Sequence, residues 1–252
     1  MTSISLSSMS SVRIPYCFCR CNSFSSHVRM SRLSTLACAS SDPTTSATQL
    51  ASEPKPKPWL LVGLGNPGKL YKGTRHNVGF EMIDTIAEAE GISMNSVNFK
   101  ALFGKGCIGH VPVMLAKPQT FMNASGESVG SIVSYYKIPL KQVLVIFDDM
   151  DLPFAKPRLL PKGGHGGHNG MRNIINHFKG SNDFPRLKIG IGRPPGKMDP
   201  VNFVLRQFNK QEREELDFTF QSGLEAVRIL LREGFEKSAT FVNSSKTLEN
   251  FR

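Results

Sequence analysis

Three features that the sequence lacks narrow the classes of protein to which this chain can belong. No apolar run approaches the roughly 20 residues that a membrane-spanning helix requires, so we expect no membrane partner. No serine is recognised as the nucleophile of a GxSxG elbow, so acyl-enzyme chemistry has no evident nucleophile. Residues 1–41 contain no aspartate or glutamate, which is unusual for a folded domain.

Cysteine is also scarce once the N-terminus is passed. Cys17, Cys19, Cys21 and Cys38 lie in the first 40 residues, and only Cys107 follows. The close spacing of the first three suggests a metal site, but no histidine or cysteine pair stands nearby to complete four ligands. Cys107 lies among strand-like residues, and we expect it to be a small buried hydrophobe.

The N-terminal stretch has the composition of an organelle transit peptide. It is rich in serine, carries four arginines and lacks the long apolar segment of a secretory signal. Its serine content favours the chloroplast, with the mitochondrion as the alternative. A linker ending in PKPKP follows. We therefore predict a transit peptide and flexible linker over residues 1–58, a folded domain over 59–243 and a polar C-terminal tail over 244–252.

The charge balance indicates a polyanionic partner. The formal net charge of the 252-residue chain is +11 with a pI near 9.6, and residues 1–58 account for +4 of it. A domain that keeps +7 favours nucleic acid first and an anionic membrane surface second. An ordinary solvated basic surface is the simpler interpretation.

The hydrophobic pattern predicts one α/β domain with a twisted, mixed, mostly parallel β-sheet flanked by helices. Strands alternate with amphipathic helical stretches along the chain. The predicted strands are 59–64, a hairpin of 99–108 and 111–116, 142–147, an edge strand within 156–162, and 187–191. The predicted helices start near 77, 124, 171, 209 and 235, and Gly192 to Pro200 is predicted to be a loop.

The stretch GLGNPGKLYKGTRHN, residues 63–77, satisfies GxGxxG directly after a strand. Dinucleotide binding needs the last glycine to open a helix and an acidic residue to end the next strand. Here Pro67 and a loop stand where the helix should begin, and Asp84 and Glu88 fall inside a helix. We interpret the motif as a rigid turn that presents Asn66 beside His76.

Polar residues follow the other predicted strands as well. Asn123 follows the hairpin, Asp148 ends a buried strand, and Asn169 lies in the glycine-rich segment GGHGGHNG. A histidine base oriented by a carboxylate, with amide groups to position a carbonyl, suits hydrolysis of an activated acyl bond by water. The simpler interpretation is that His76 caps a helix and the asparagines make turns. Asp149 and Asp151 are predicted to be turn or capping residues.

The two histidines of the glycine-rich segment invite a metal-site interpretation. His165 and His168 have no accompanying carboxylate in the sequence, so we predict a loop-structural or substrate-facing role for them and no metal.

Four motifs in order resemble those of the bacterial-type peptidyl-tRNA hydrolases: GLGNPGKLYKGTRHNVGF, KPQTFMNASG, DDMDLP and GGHGGHNG. The resemblance runs from about Trp59 to Asn243. It implies a domain that needs no metal or cofactor and cleaves the ester linking a peptide to the 3′ end of tRNA, which recycles tRNA in organellar translation. We expect a monomer.

The resemblance also implies roles for individual residues. The catalytic histidine falls on His76 and its orienting aspartate on Asp148. Asn66 joins the catalytic group, and the substrate-binding residues fall on the following positions: Asn123, Asn169, Met122 and Tyr71, the last two lining the peptide channel.

One departure from the family concerns tRNA. Bacterial members clamp a tRNA phosphate with two basic residues, and the aligned positions here hold Leu160 and Lys188. Arg158, Lys162 and Arg186 are nearby, and we predict that they share the phosphate contacts with Lys188. Ordinary solvated charges are the alternative.

The resemblance includes a second function. In plant organelles, relatives of this fold serve as non-catalytic protein partners in RNA splicing. Such a protein should have lost catalytic residue types and gained an apolar surface patch. The retained residue types favour the enzyme.

Overall fold

The computed structural model describes residues 57–244. The predicted transit peptide and linker therefore lie outside the described residues, apart from Lys57 and Pro58. The predicted tail also lies outside them, apart from Ser244.

The described residues form one mixed seven-stranded sheet in the order β2-β3-β4-β1-β5-β7-β6. The four central strands, β4, β1, β5 and β7, are parallel, and antiparallel pairing is confined to the edges. The strands are β1 Trp59–Gly63, β2 Ser96–Asn98, β3 Ala101–Ile108, β4 Val111–Pro118, β5 Val143–Asp149, β6 Pro157–Leu160 and β7 Arg186–Gly190. The predicted α/β class, the hairpin and the edge position of β6 are confirmed.

The central strands are apolar throughout because helices cover both faces of the sheet. On β1, Leu61 packs into one buried cluster while Leu60 and Val62 pack into the other. Each is fully buried, which stabilises the fold by about 1.5–3 kcal/mol per side chain.

The helices are α1 Val78–Ala89, α2 Ser125–Tyr136, α3 Asn169–His177, α4 Pro200–Val204, α5 Lys210–Glu233 and α6 Phe235–Asn243. Residues of α1, α5 and α6 contribute to the Leu61 cluster, and residues of α2 and α3 contribute to the Leu60 cluster. Helix α5 begins with a reciprocal capping box between Asn209 and Glu212. No helix within residues 57–244 is both long enough and apolar enough to cross a membrane.

Two elements were not predicted from the sequence. Helix α4 begins where the loop was expected to end, with Pro200 in its first turn and the Asp199 carboxylate accepting from the Asn202 N–H. Asp-Pro is a known helix-start signal, but five residues carry too little periodicity to reveal a helix. Strand β2 is exposed at all three positions and therefore has no apolar alternation.

One local prediction is wrong, and one boundary is displaced. Cys107 is exposed, because it shares a face of β3 with Lys105 at an end of the strand that faces solvent. Helix α3 begins at Asn169, two residues before the predicted start near Met171, and its N-cap is His168, whose side chain accepts from the Met171 N–H. Asn169 therefore does not cap this helix.

Candidate active site

Three hydrogen bonds hold Asn66 in place in the turn after β1. Its Oδ1 accepts from the Met122 backbone N–H at 2.8 Å, and its own N–H donates to Asn77 Oδ1 at 2.8 Å. Asn77 Nδ2 donates in return to the Asn66 carbonyl at 2.9 Å. Within residues 57–244 the Asn66 Nδ2 group has no hydrogen-bond partner, so it remains a donor for a substrate. This role of Asn77 was not predicted.

Two glycines let helix α1 approach the sheet closely enough to place His76. A Cβ on Gly63 would lie 2.1 Å from the Gly79 carbonyl oxygen, and a Cβ on Gly79 would lie 2.4 Å from the Ile146 carbonyl oxygen. Only glycine permits these contacts. The short 3₁₀ turn Arg75–Asn77, which precedes α1, therefore lies against the end of β5.

His76 and Asp148 are in direct contact. His76 Nδ1 lies 3.0 Å from each oxygen of the Asp148 carboxylate. The His76 side chain is 14% exposed and that of Asp148 is 3% exposed. Because Asp148 can only accept when ionised, Nδ1 carries the proton and Nε2 is left as the basic nitrogen.

The two groups shift one another's pKa. Burial by itself lowers the pKa of His76, but the charge and hydrogen bond of Asp148 outweigh it and raise the pKa above 6.5. Burial by itself raises the pKa of Asp148, but the two neighbouring imidazoles, His76 and His168, hold it far below the usual carboxyl range. Asp148 is therefore a carboxylate throughout the neutral pH range.

His168 is a second partner of Asp148 that was not predicted. Its Nδ1 accepts from the Met171 N–H at 3.2 Å, so Nε2 carries the proton and donates to Asp148 Oδ1 at 3.1 Å. The sequence predicted a loop-structural or substrate-facing role for His168, and this prediction did not include the hydrogen bond to Asp148. His165 does have a loop-structural contact, since its Nδ1 accepts from the Gly167 N–H at 3.1 Å.

Ligand atoms of His76, Asp148 and His168 lie within 4.8 Å of one another and could hold a metal ion. Both imidazole nitrogens that face the carboxylate already donate to it. A metal ion would therefore have to displace two hydrogen bonds that satisfy a buried charge.

A cavity of about 210 Å³ opens beside this cluster. Its lining combines the His76–Asp148 pair with the glycine-rich segment, the end of β5 and helix α4: His76, Phe147, Asp148, Asp149, Met150, Asp151, His165, Gly166, Gly167, His168, Asn169, Pro200, Val201 and Val204. Of the predicted substrate-binding residues, only Asn169 lies in this cavity.

The other predicted substrate residues belong to a neighbouring turn. Met122 is buried, and its sulfur occupies the space that a side chain on Gly170 would need. Asn123 is exposed on the same 3₁₀ turn, Met122–Ala124. Tyr71 packs edge-to-face on Phe121 with ring centroids 6.4 Å apart. The bond from Met122 to Asn66 ties this turn to the one after β1.

The predicted cations divide into two groups. Arg158 and Lys162 are exposed, and Lys188 Nζ donates to Asp149 Oδ2 at 2.6 Å. Arg186 is fully buried, with its guanidinium donating to the carbonyls of Gly163 and Gly164 at 2.6 and 3.0 Å. Burial lowers the pKa of Arg186 to about 10. The expectation of a phosphate contact by Arg186 is therefore corrected to support of the glycine-rich segment.

Asp149 Oδ1 accepts from the Asp151 N–H at 2.8 Å, which agrees with the predicted turn role.

Ser128 lies in a GxSxG motif, Gly126 to Gly130, that was not recognised from the sequence. It is fully buried within α2, whereas a nucleophile elbow requires an exposed serine at a strand-to-helix turn.

The sequence of this chain matches one protein-family model. The family model described as peptidyl-tRNA hydrolase matches residues 60–250.

The chain belongs to the peptidyl-tRNA hydrolase family.

Two plant relatives carry the family name. The chain is 74% identical over 216 residues to "Peptidyl-tRNA hydrolase, chloroplastic" of Arabidopsis thaliana, which covers 83% of this chain and 75% of the relative. It is 76% identical over 193 residues to "Peptidyl-tRNA hydrolase, mitochondrial" of Oryza sativa subsp. japonica, with 77% of each chain covered.

A third relative has a different name. "Chloroplastic group IIB intron splicing facilitator CRS2, chloroplastic" of Zea mays is 54% identical over 186 residues, which covers 74% of this chain and 73% of the relative. Among solved structures, the peptidyl-tRNA hydrolase of Acinetobacter baumannii matches with a TM-score of 0.71 and 36% identity, over 75% of this chain and 95% of that chain.

Proposed function

We propose that this chain hydrolyses the ester bond between peptide and tRNA in peptidyl-tRNA, with His76 as the general base. The observation that carries the proposal is the contact of His76 Nδ1 with both oxygens of the buried Asp148. This contact fixes the tautomer, so that Nε2 can take a proton from water, and it stabilises the imidazolium that then forms.

The reaction requires two proton transfers. Water attacks the ester carbonyl as His76 Nε2 accepts its proton, and the carbonyl oxygen becomes an oxyanion. The free Nδ2 donor of Asn66, together with Asn123, binds the peptide backbone and this oxyanion. The tetrahedral intermediate then collapses, and the imidazolium returns the proton to the departing ribose oxygen. General base catalysis of this kind contributes about 10²- to 10⁴-fold.

The peptide half of the substrate would occupy the cavity beneath α4. Its lining includes the apolar side chains of Phe147, Met150, Val201 and Val204, and Asn169 supplies an amide. Met122 and Tyr71 would extend this surface past Asn66. The polyanionic half would need cations elsewhere, because neither lysine nor arginine lines the cavity.

Arg158 is the best placed cation for a tRNA phosphate. It pairs directly with Lys188 across β6 and β7, and Lys188 pairs with Phe147 across β7 and β5. Arg158 therefore shares a sheet face with Leu160 but lies two residue pairs nearer the catalytic edge. Lys188 is partly neutralised by Asp149, so we assign the phosphate contact first to Arg158, with Lys188 and Lys162 beside it.

The experiment that tests this function is release of free tRNA from N-blocked aminoacyl-tRNA by purified protein. We expect the wild type to turn over and His76→Ala to lose most of the activity while keeping its fold. A well-folded wild type without activity would overturn the hydrolase assignment.

A second candidate function is protein partnership in RNA splicing. The 54% identity to a named splicing facilitator is the observation in its favour. The intact His76–Asp148 contact favours the enzyme, because a non-catalytic partner does not need it. An inactive wild type that still binds a structured intron RNA would support this candidate.

We further propose import into the chloroplast, with the mitochondrion as the alternative, since relatives with both names are 74% and 76% identical to this chain. Fusing residues 1–58 to a fluorescent protein would decide between the two organelles. We also propose that the protein acts as a monomer, because one chain supplies every residue of the site described above. Light scattering measures this directly.

A further inference from the structure

Arg75 stands next to His76 in the 3₁₀ turn Arg75–Asn77, yet its side chain points away from solvent and is only 8% exposed. We propose that Arg75 is a positioning residue for catalysis, which fixes the His76 turn against helix α4 and the start of α5. This inference rests on the hydrolase function proposed above.

The guanidinium of Arg75 spans the segment that joins α4 to α5. Its Nη1 donates to the carbonyls of Arg206 and Gln207 at 3.3 and 2.9 Å. The backbone N–H of Arg75 also donates to the Arg206 carbonyl, at 3.0 Å, and Thr74 forms a β-bridge with Gln207. The turn that carries His76 is therefore attached to this segment through both backbone and side chain.

Glu212 completes the attachment. Its two carboxylate oxygens accept from Arg75 Nη2 at 2.7 and 2.8 Å. The same carboxylate accepts from the Asn209 N–H in the capping box that starts α5. A charge-assisted pair of this kind is stronger than a neutral hydrogen bond, and it is anchored to a helix of 24 residues.

Two faces of helix α4 make different contacts, one with the cavity and one with Arg75. Pro200, Val201 and Val204 line the catalytic cavity. Phe203 instead faces Arg75, whose guanidinium carbon lies 4.6 Å from the Phe203 ring centroid and 4.9 Å from that of Phe208. The guanidinium is thus held between two rings, one from α4 and one from the segment before α5.

These contacts make Arg75 the connection between the wall of the cavity and the catalytic base. If the hydrogen bonds of the two guanidinium nitrogens, Nη1 and Nη2, are lost, α4 and the His76 turn can shift relative to each other. Displacement of a catalytic group by about 1 Å can cost on the order of 100-fold in rate. Arg75 contacts no predicted substrate-binding residue, so its effect should fall mainly on kcat, with at most a small change in KM because α4 also lines the cavity.

The test compares Glu212→Gln and Arg75→Lys with a matched control, Glu90→Gln. Glu90 forms an Arg–Glu pair with Arg228 at 2.8 Å that also joins α1 to α5, away from the cavity. We expect kcat on N-blocked aminoacyl-tRNA to fall on the order of 10- to 100-fold in the two test variants, with KM within about twofold. The control should keep the wild-type kcat even if its Tm falls equally.

A spectroscopic readout separates positioning from stability. The imidazole Nδ1–H proton of His76, hydrogen-bonded to Asp148, should give a downfield resonance, assigned by its absence in His76→Ala. In Arg75→Lys, which keeps the charge but not the fork, we expect this resonance to shift or broaden while the protein stays folded.

Wild-type kcat in both test variants would overturn the inference, and so would a loss of kcat with an unchanged His76 resonance. If Glu212→Gln does not fold, Arg75→Lys alone decides between these outcomes. An inactive wild type would instead overturn the hydrolase function, so the two failures are distinguishable.

Discussion

At the level of single residues, the Asp148 carboxylate accepts hydrogen bonds from two imidazole rings while almost fully buried. A buried charge with one partner removed is left uncompensated, which is costly. His168 and His76 therefore share one task, which is to keep the buried Asp148 carboxylate ionised.

His168→Asn separates the two roles of His168. Asparagine can still accept the Met171 N–H as an N-cap, but its shorter side chain no longer donates to Asp148. We expect the fold to be retained and kcat to fall about tenfold, the scale of one charge-assisted hydrogen bond. His110→Asn is the matched control, since His110 is exposed in the turn between β3 and β4 and does not line the cavity. Equal activity in both variants would contradict a role for His168 through Asp148.

The raised pKa of His76 predicts how its contribution to stability depends on pH. Because the folded-state pKa lies above 6.5, the Asp148 contact stabilises the charged imidazolium. This stability is fully present below pH 6.5 and is lost as the pH rises through the folded-state pKa. The free energy of unfolding of wild type minus that of His76→Ala should therefore decrease with rising pH in denaturant titrations. A difference that increases would contradict the assigned sign.

The sequence made part of this residue-level picture predictable. His76 and Asp148 were predicted because they follow buried strands within distinctive motifs. Asn77 and Arg75 were not, because no motif in the sequence marks Asn66 and Glu212 as their hydrogen-bond partners. Such contacts depend on the packing of α1 and α5, which local patterns do not encode. Arg186 was misjudged for the same reason, since burial of an arginine is set by the loops that close over it.

At the level of elements, the close packing of α1 on β1 and β5 positions the turn that carries His76. Alanine is ordinarily better than glycine inside a helix by about 1 kcal/mol. At Gly79, however, a Cβ would lie 2.4 Å from the Ile146 carbonyl oxygen.

We therefore expect Gly79→Ala to destabilise the protein by about 1–3 kcal/mol and to lower kcat, because α1 must move away from β5. Gly130→Ala is the control within α2, where the nearest atom to a new Cβ is 3.3 Å away. Denaturant unfolding and the tRNA-release assay measure both effects. A stabilised Gly79→Ala would show that the close approach does not constrain α1.

The long elements and the apolar strands were predicted from the sequence, whereas the short helix α4 and the exposed strand β2 were not. The hairpin and helix α5 carry enough hydrophobic periodicity to be recognised from a single sequence. Helix α4, with five residues, does not, although it forms one wall of the cavity. The exposure of Cys107 also could not be predicted, because it depends on how far the covering helices extend along β3.

At the level of the whole molecule, an acidic and apolar cavity lies near a basic sheet edge. Asp148, Asp149 and Asp151 line the cavity, whereas Arg158 is exposed two strands away from β5. This separation suits a substrate with a peptide half and a polyanionic half.

Arg158→Ala should accordingly weaken tRNA binding and reduce the slope of log K against log salt by about one. Lys141→Ala is the control, since Lys141 is exposed in the turn Leu140–Gln142 that precedes β5, at the opposite end of that strand from Asp148. Filter binding or fluorescence anisotropy across a salt series measures the slope. Equal slopes for both variants and wild type would remove Arg158 from the phosphate contact.

The central claim is that Asp148 makes His76 the general base. The most direct test is the pH dependence of single-turnover hydrolysis of N-blocked aminoacyl-tRNA by wild type and Asp148→Asn. The wild-type rate should rise with pH, and the pKa that describes this rise should lie above 6.5. In Asp148→Asn the rate should be much lower and this pKa should fall below 6.5, because burial then acts on His76 without the carboxylate. The same pKa for the rise in both proteins would contradict the claim.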